Sequence, residues 1–227
     1  MSISHIITEI RSTLPSHVKL VAVSKTKPNE DLLEAYSSGQ RIFGENKVQE
    51  LTAKYESLPK DIQWHFIGHL QTNKVKYIAP FVALIHGVDS FKLLKTINKE
   101  AIKNGRVIDC LLQFHIAMEQ SKFGFSLTEC EEMLENTEFK ALKNIRCIGV
   151  MGMATYTSNV EQIHAEFKSL STSFKYLKKK YFNEDQAFCE LSMGMSDDYL
   201  FAIEQGSTMV RIGSTIFGAR VKKHTED

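Results

Sequence analysis

The sequence predicts an α/β fold, a (β/α)₈ TIM barrel with an extra N-terminal helix. Three observations point there. Apolar runs rich in β-branched residues recur eight times, at residues 18–24, 41–44, 63–67, 82–87, 107–114, 145–151, 187–192 and 209–213. Several are almost continuously hydrophobic, as strands buried on both faces of a parallel sheet are. Segments with helical spacing separate them. An open doubly wound sheet is the competing arrangement. It leads one to expect a GxGxxG turn after the first strand, where this chain has Ser24-Lys25-Thr26-Lys27-Pro28.

The elements follow in order. Ile3, Ile6, Ile7, Ile10 and Leu14 form one face of an amphipathic helix over residues 2–14, expected to cover the barrel's N-terminal end. After the first strand, Asn29 is placed to cap a helix that begins with Glu30 and Asp31, carries Leu32, Leu33 and Tyr36 inward, and stops at Gly39. Asn46 with Gln49, Ser126 with Glu129 and Ser158 with Glu161 have capping-box spacing. Leu93, Leu94 and Ile97 mark the helix that Gly105 ends. Ser196 reads as a cap, with Asp197 and Asp198 in the first turn after it. No Pro/Gly/Ser-rich linker divides the chain, so residues 1–227 are expected to form one domain.

Composition narrows the function classes. Hydrophobic residues make up 43% and charged residues 24%, and the net charge of +1 offers no field for nucleic acid or an anionic membrane. The Lys178-Lys179-Lys180 run reads as the solvated end of a helix. No cationic segment followed by a long apolar stretch marks a leader, and no apolar run is long enough to span a bilayer. Cys110, Cys130, Cys147 and Cys189 form no CxxC pair and read as buried free thiols of a cytoplasmic protein.

Barrels of this kind place their sites at the C-terminal ends of the strands. Those ends offer Lys25 and Lys27; Gly44, Glu45 and Asn46; His65, Gly68 and His69; Met151, Gly152 and Met153; Ser192, Gly194 and Ser196; and Arg211, Gly213 and Ser214. Closure brings the first and last strands together. An amine then lies beside a glycine-rich turn of the kind that binds phosphate after strand eight. That pairing suits a phosphorylated aldehyde held as an imine. A lysine must shed its proton to attack a carbonyl, and burial or a neighbouring cation helps it do so. Lys27 is such a neighbour of Lys25, though spacing alone does not separate this pair from two solvated strand-end lysines. Ser192 and Gly194 are expected to line the phosphate site, while Asp197 and Asp198 would repel a phosphate. His65 and His69 stand four apart, but Gly68 intervenes and no carboxylate or cysteine follows at a useful interval, so no metal is expected. The methionines 151, 153, 193 and 195 read as apolar walls.

Five segments carry a resemblance: Ala22-Val23-Ser24-Lys25-Thr26-Lys27-Pro28, Phe43-Gly44-Glu45-Asn46, Trp64-His65-Phe66-Ile67-Gly68, Leu191-Ser192-Met193-Gly194-Met195-Ser196-Asp197-Asp198, and Gly206-Ser207-Thr208-Met209-Val210-Arg211-Ile212-Gly213. With them the chain resembles the pyridoxal phosphate homeostasis proteins, small single-domain relatives of the alanine racemase barrel, from about Val18 to Arg220. The resemblance implies pyridoxal 5'-phosphate held as an imine on Lys25, phosphate contacts near Gly213 and Ser214, and a contact from Arg211 to the ring nitrogen. Asn46, Met151, Ser192 and Gly194 complete the expected site. It implies a carrier or regulator of the free cofactor, expected to be monomeric, with cofactor-dependent apoenzymes as candidate recipients and no catalytic residues of its own. Two departures stand out. His69 replaces a usual proline, and Ser214 replaces a usual threonine while keeping the hydroxyl. The expected lack of turnover rests on Arg211, on the absence of a second domain after Arg220, and on no obvious second acid–base residue facing Lys25. A racemase- or decarboxylase-like enzyme using the same cofactor is the alternative. A Schiff-base aldolase acting on a phosphosugar without cofactor is a third.

Overall fold

Eight parallel strands close on themselves in sequence order in a computed structural model that describes residues 1–118 and 123–219. They are β1 (Lys19–Val23), β2 (Ile42–Glu45), β3 (Gln63–Phe66), β4 (Leu84–Val88), β5 (Ile108–Gln113), β6 (Ile145–Met151), β7 (Glu190–Ser192) and β8 (Met209–Ile212). β1 pairs with both β2 and β8, Ala22 meeting Phe43 on one side and Ile212 on the other. Each strand falls within about two residues of its expected run, apart from β7, which begins at Glu190, although the Cys189 N–H before it already donates to Ile148 O of β6 at 2.9 Å. Arg220, the end of the resemblance, lies outside the described residues.

The helices are α1 (Ile3–Thr13), α2 (Asn29–Ser37), α3 (Val48–Ser57), α4 (Val75–Ile78), α5 (Phe91–Lys103), α6 (Leu127–Glu135), α7 (Thr137–Lys140), α8 (Val160–Tyr181), α9 (Tyr199–Glu204) and α10 (Ser214–Phe217). α1 does not cover the barrel end as expected. It packs in the outer ring against α2 and α10, burying Ile7 and Ile10. Only its last turn reaches the N-terminal rim, where Arg11 donates to Gly39 O and Gln40 Oε1. The capping box at Ser126 and Glu129 is present. Three other caps shift. Asn29 is the first helical residue and bonds Ser57, α3 begins two residues beyond Asn46, and Asn159 rather than Ser158 caps α8. Loop geometry decided these, because the side chain nearest the first turn is the one that can reach its N–H groups.

One apolar core lies between strands and helices; a second fills the barrel interior with Val21, Leu84, Leu111, Met151 and Met209. β6 passes β7 so closely that a Cβ on Gly149 would fall 1.8 Å from Glu190 O, which leaves glycine as the residue that fits. The N-terminal rim is polar, with Lys19 paired to Glu190 and Arg146 to Asp109. Cys110 and Cys147 face each other across β5 and β6, and both are buried, as is Cys130 on α6; Cys189 is exposed, against expectation, because its side chain alternates outward between buried Phe188 and buried Glu190. No helix among the described residues is long and apolar enough to cross a membrane.

Candidate functional site

The C-terminal mouth of the barrel is a cavity of about 640 Å³. Lys25, Lys27, Asn46, Arg211, Gly213 and Ser214 all line it, so the lysines after β1 and the glycine turn after β8 share one space. Alternation along the strands explains who reaches it. Met151 points into the apolar layer below the mouth, and Ser192 is fully buried beneath it. Gly194 also stands behind the wall: φ is +94°, and a Cβ there would press on Ala202 and Tyr199. Its carbonyl accepts the Arg211 N–H at 2.9 Å. Met151, Ser192 and Gly194 thus support the cavity without lining it.

Lys25 and Lys27 are both half-buried, so burial does not distinguish them. Bonding does. The Lys27 ammonium donates to the carbonyl oxygens of Phe217 and Ala219 and ties the β1 loop to the end of α10. Arg211, 4% exposed, enters the floor from β8. Its Nη1 donates to Ser192 Oγ at 2.6 Å and its Nη2 to Gly152 O at 3.0 Å. No carboxylate pairs with it among the described residues. Burial therefore lowers its pKa to about 10, partly offset by the field of Asp198, and it stays charged at neutral pH.

Beneath the floor runs a chain of buried polar groups that sequence reasoning missed. Ser192 Oγ lies 3.1 Å from His86 Nδ1, and His86 Nε2 lies 3.0 Å from His65 Nδ1. Arginine can only donate, so Ser192 Oγ accepts from Arg211, and the His86 tautomer sets the direction of its bond to Ser192. One of the two facing nitrogens, His86 Nε2 or His65 Nδ1, carries the proton between the rings. Both rings are neutral: burial lowers His65 to about 3, helped by the charge of Lys19, and lowers His86 well below 6.5, helped by His65 and Arg211. The signal was a lone histidine inside the apolar strand Leu84–Val88.

Ser196 does not cap α9. Its Oγ accepts the Gly213 N–H at a long 3.3 Å, and Asp198 turns inward to accept from Met195 N. Asp197 remains exposed on the rim, a charge that opposes a phosphate. Gln113, His115, Ile116 and Phe123 form the wall after β5, and Tyr156 stands near them. His69 sits at the lip, bonded to Asp89 at 2.9 Å and tilted against Phe123, while His65 is inside the barrel, so the two imidazoles share no face. The mouth also holds the titratable side chains of His69, His115 and Tyr156. Among the described residues no three His, Cys, Asp or Glu side chains cluster as a metal site. An amine, a buried guanidinium, glycine-turn N–H groups and hydroxyls form a donor set that fits a phosphorylated ring aldehyde.

Residues 1–221 match the family model described as alanine racemase, N-terminal domain, which defines the class of barrel. Alanine racemase from Bartonella henselae shares the fold, with a TM-score of 0.71 at 14% identity over 96% of this chain and 58% of that one. The agreement is far closer with a narrower group. The pyridoxal phosphate homeostasis protein of Aquifex aeolicus is 42% identical over 89% of this chain and 87% of its own, and that of Homo sapiens 40% identical over 92% and 80%. PipY of Synechococcus elongatus with PLP bound superposes with a TM-score of 0.85 at 33% identity, over 95% of this chain and 100% of that one. The chain belongs to the pyridoxal phosphate homeostasis protein family.

Proposed function

We propose that this chain binds pyridoxal 5'-phosphate in the C-terminal mouth and holds it covalently on Lys25 as part of cofactor homeostasis. The observation that carries this reading is the convergence of Lys25, Arg211, Gly213 and Ser214 on one cavity. The PLP-bound relative supports it. Pyridoxal phosphate supplies an aldehyde that condenses with an amine and a ring that draws electrons when its nitrogen is protonated. Lys25 provides the amine. The turn at Gly213 and Ser214 provides N–H and hydroxyl donors for the phosphate, and Asn46, after β2 on the other flank of β1, lines the same mouth.

Arg211 sets the character of the site. A guanidinium held charged at the ring nitrogen opposes protonation there and so disfavours carbanion chemistry. We therefore read the protein as a holder of the cofactor, acting as a cytoplasmic monomer and passing it to apoenzymes. His69 and His115 at the same mouth favour a second reading, proton transfer at an amino acid, which Arg211 weighs against. The test is the visible spectrum of the purified protein with added pyridoxal 5'-phosphate. A yellow band lost on borohydride reduction, with the mass increment on a Lys25 peptide, supports the reading. Tight binding without an adduct, or an adduct elsewhere, refutes it.

A further inference from the structure

Lys25 stands in a turn that the local sequence does not favour. The turn is closed by the Lys27 N–H donating to Ser24 O at 3.1 Å, with Lys25 and Thr26 as its central residues. Thr26 has φ of +67°, the one positive value among the described residues other than glycine. That is the arrangement of a type II turn, whose third position ordinarily takes glycine or asparagine; a β-branched residue there is strained. Something outside the turn must hold it.

The support is a buried ammonium on α3. Lys54, 5% exposed, places its Nζ 2.8 Å from Ser24 O, 2.7 Å from Glu45 Oε1 and 2.8 Å from Glu50 Oε1. Its three protons have three acceptors. Glu50 Oε1 in turn accepts the Thr26 N–H at 2.5 Å, and Ser24 Oγ donates to Glu45 Oε1 at 2.6 Å. The two peptide groups flanking the Lys25 Cα are therefore both tied to Lys54, one through its carbonyl directly and the other through its N–H by way of Glu50. Glu45 is fully buried, and its second oxygen has no partner. A buried ion pair that leaves a carboxylate oxygen unpaired is a poor investment in stability alone.

We propose that Lys54 is a positioning residue, and that with Glu50 it latches the strained turn so that the Lys25 amine is presented into the mouth. The inference rests on the reading of Lys25 as the covalent anchor. In that step Lys25 Nζ forms a C=N bond to the aldehyde carbon, and the aldehyde oxygen departs as water with the two amine protons. A slackened turn costs the covalent step but not the phosphate and ring contacts, which other elements make.

Two ligands separate these effects. Pyridoxal 5'-phosphate can form the bond; pyridoxine 5'-phosphate, an alcohol, cannot. Lys54→Met and Glu50→Ala should weaken the apparent affinity for the aldehyde by roughly ten- to a hundredfold and leave that for the alcohol unchanged. Thr26→Gly, which removes the strain, should restore most of the loss in either background. Glu50 lies at the surface end of the latch, so Glu50→Ala decides the matter if Lys54→Met does not fold by circular dichroism. Equal losses for both ligands, or no loss for the aldehyde, would overturn the latch. A wild-type protein with no borohydride-fixed adduct overturns the anchor reading and the latch with it. A wild-type adduct with indifferent variants overturns the latch alone.

Discussion

The neutral pair His65 and His86 makes acid stability a direct test of the barrel floor. Each ring has an ordinary pKa of 6.5 when unfolded, and each is held below it in the fold, mainly by burial. Above that value neither state carries the extra protons. Below it the unfolded chain takes up a proton on each ring that the folded chain refuses, so stability falls as pH falls. One proton corresponds to about 1.4 kcal/mol per pH unit, so at about pH 5 His65 has removed roughly 2 kcal/mol, and His86 acts in the same direction. That is a measurable part of a typical domain stability of about 5–15 kcal/mol. For His65 the loss levels off only near its folded value of about 3. Glu45 and Asp198 are raised by burial and act with the opposite sign in the carboxylate range. The imidazole window above them is therefore the one to read. Urea melts between about pH 7.5 and 5 should show the slope; below about pH 6.5 His65→Gln should flatten it by about 1.4 kcal/mol per unit and His86→Gln should flatten it in the same direction, whatever they do to stability at neutral pH. A wild-type slope no steeper than that of the double variant would mean that the rings carry charge inside the barrel. The pairing of two neutral rings beneath Arg211 would then be wrong.

Three further outcomes are expected. Lys25→Ala should abolish the borohydride-fixed adduct, while Lys27→Ala should keep it and lose about 1 kcal/mol or more of stability through its bonds to Phe217 and Ala219; intact mass after reduction checks this, and the reverse pattern would exchange the two roles. Ser214→Asp places a carboxylate on an exposed position of the phosphate turn and should weaken pyridoxal 5'-phosphate at least about tenfold by titration. It is cleaner than Gly213→Asp, whose Cβ would sit 3.0 Å from Val23 O, and an unchanged affinity would put the phosphate elsewhere. Solvent-deuterium exchange at the α-carbon of L-alanine should be negligible in the wild type and rise in Arg211→Glu, where a carboxylate favours ring protonation; wild-type exchange at roughly 1–10³ per second, the range of dedicated enzymes, would promote the enzyme reading.

The strands were legible because burial on both faces leaves little besides apolar residues, and a run such as Ile145–Met151 has no other ready explanation. Caps were less so. Asn29, Asn46 and Ser158 have the right chemistry, but the chain's path into each helix decides which side chain meets the first turn. In the site, Lys25, Asn46, Arg211, Gly213 and Ser214 reach the mouth because strand ends in a barrel must converge. Met151, Ser192 and Gly194 lie beneath or behind the side chains that line the mouth, a placement that a motif does not carry. The wall after β5 and the Lys54 latch were invisible for different reasons. Gln113, His115 and Phe123 form no pattern, and Glu50 with Lys54 looks like any exposed i,i+4 pair until the fold buries it.

The placement of the four thiols gives the molecule its own reporter of opening. Cys110, Cys130 and Cys147 lie behind β5 and β6, where burial raises each thiol and suppresses the reactive thiolate. Cys189 alone is exposed, at the start of β7, beside Glu190 on the rim away from Lys25. A maleimide dye at neutral pH therefore marks one cysteine in the native state and all four once the barrel parts. Counting labels by mass over time measures how often the sheet opens between β5 and β6, and it does so with a tag at the end of the barrel remote from the cofactor mouth.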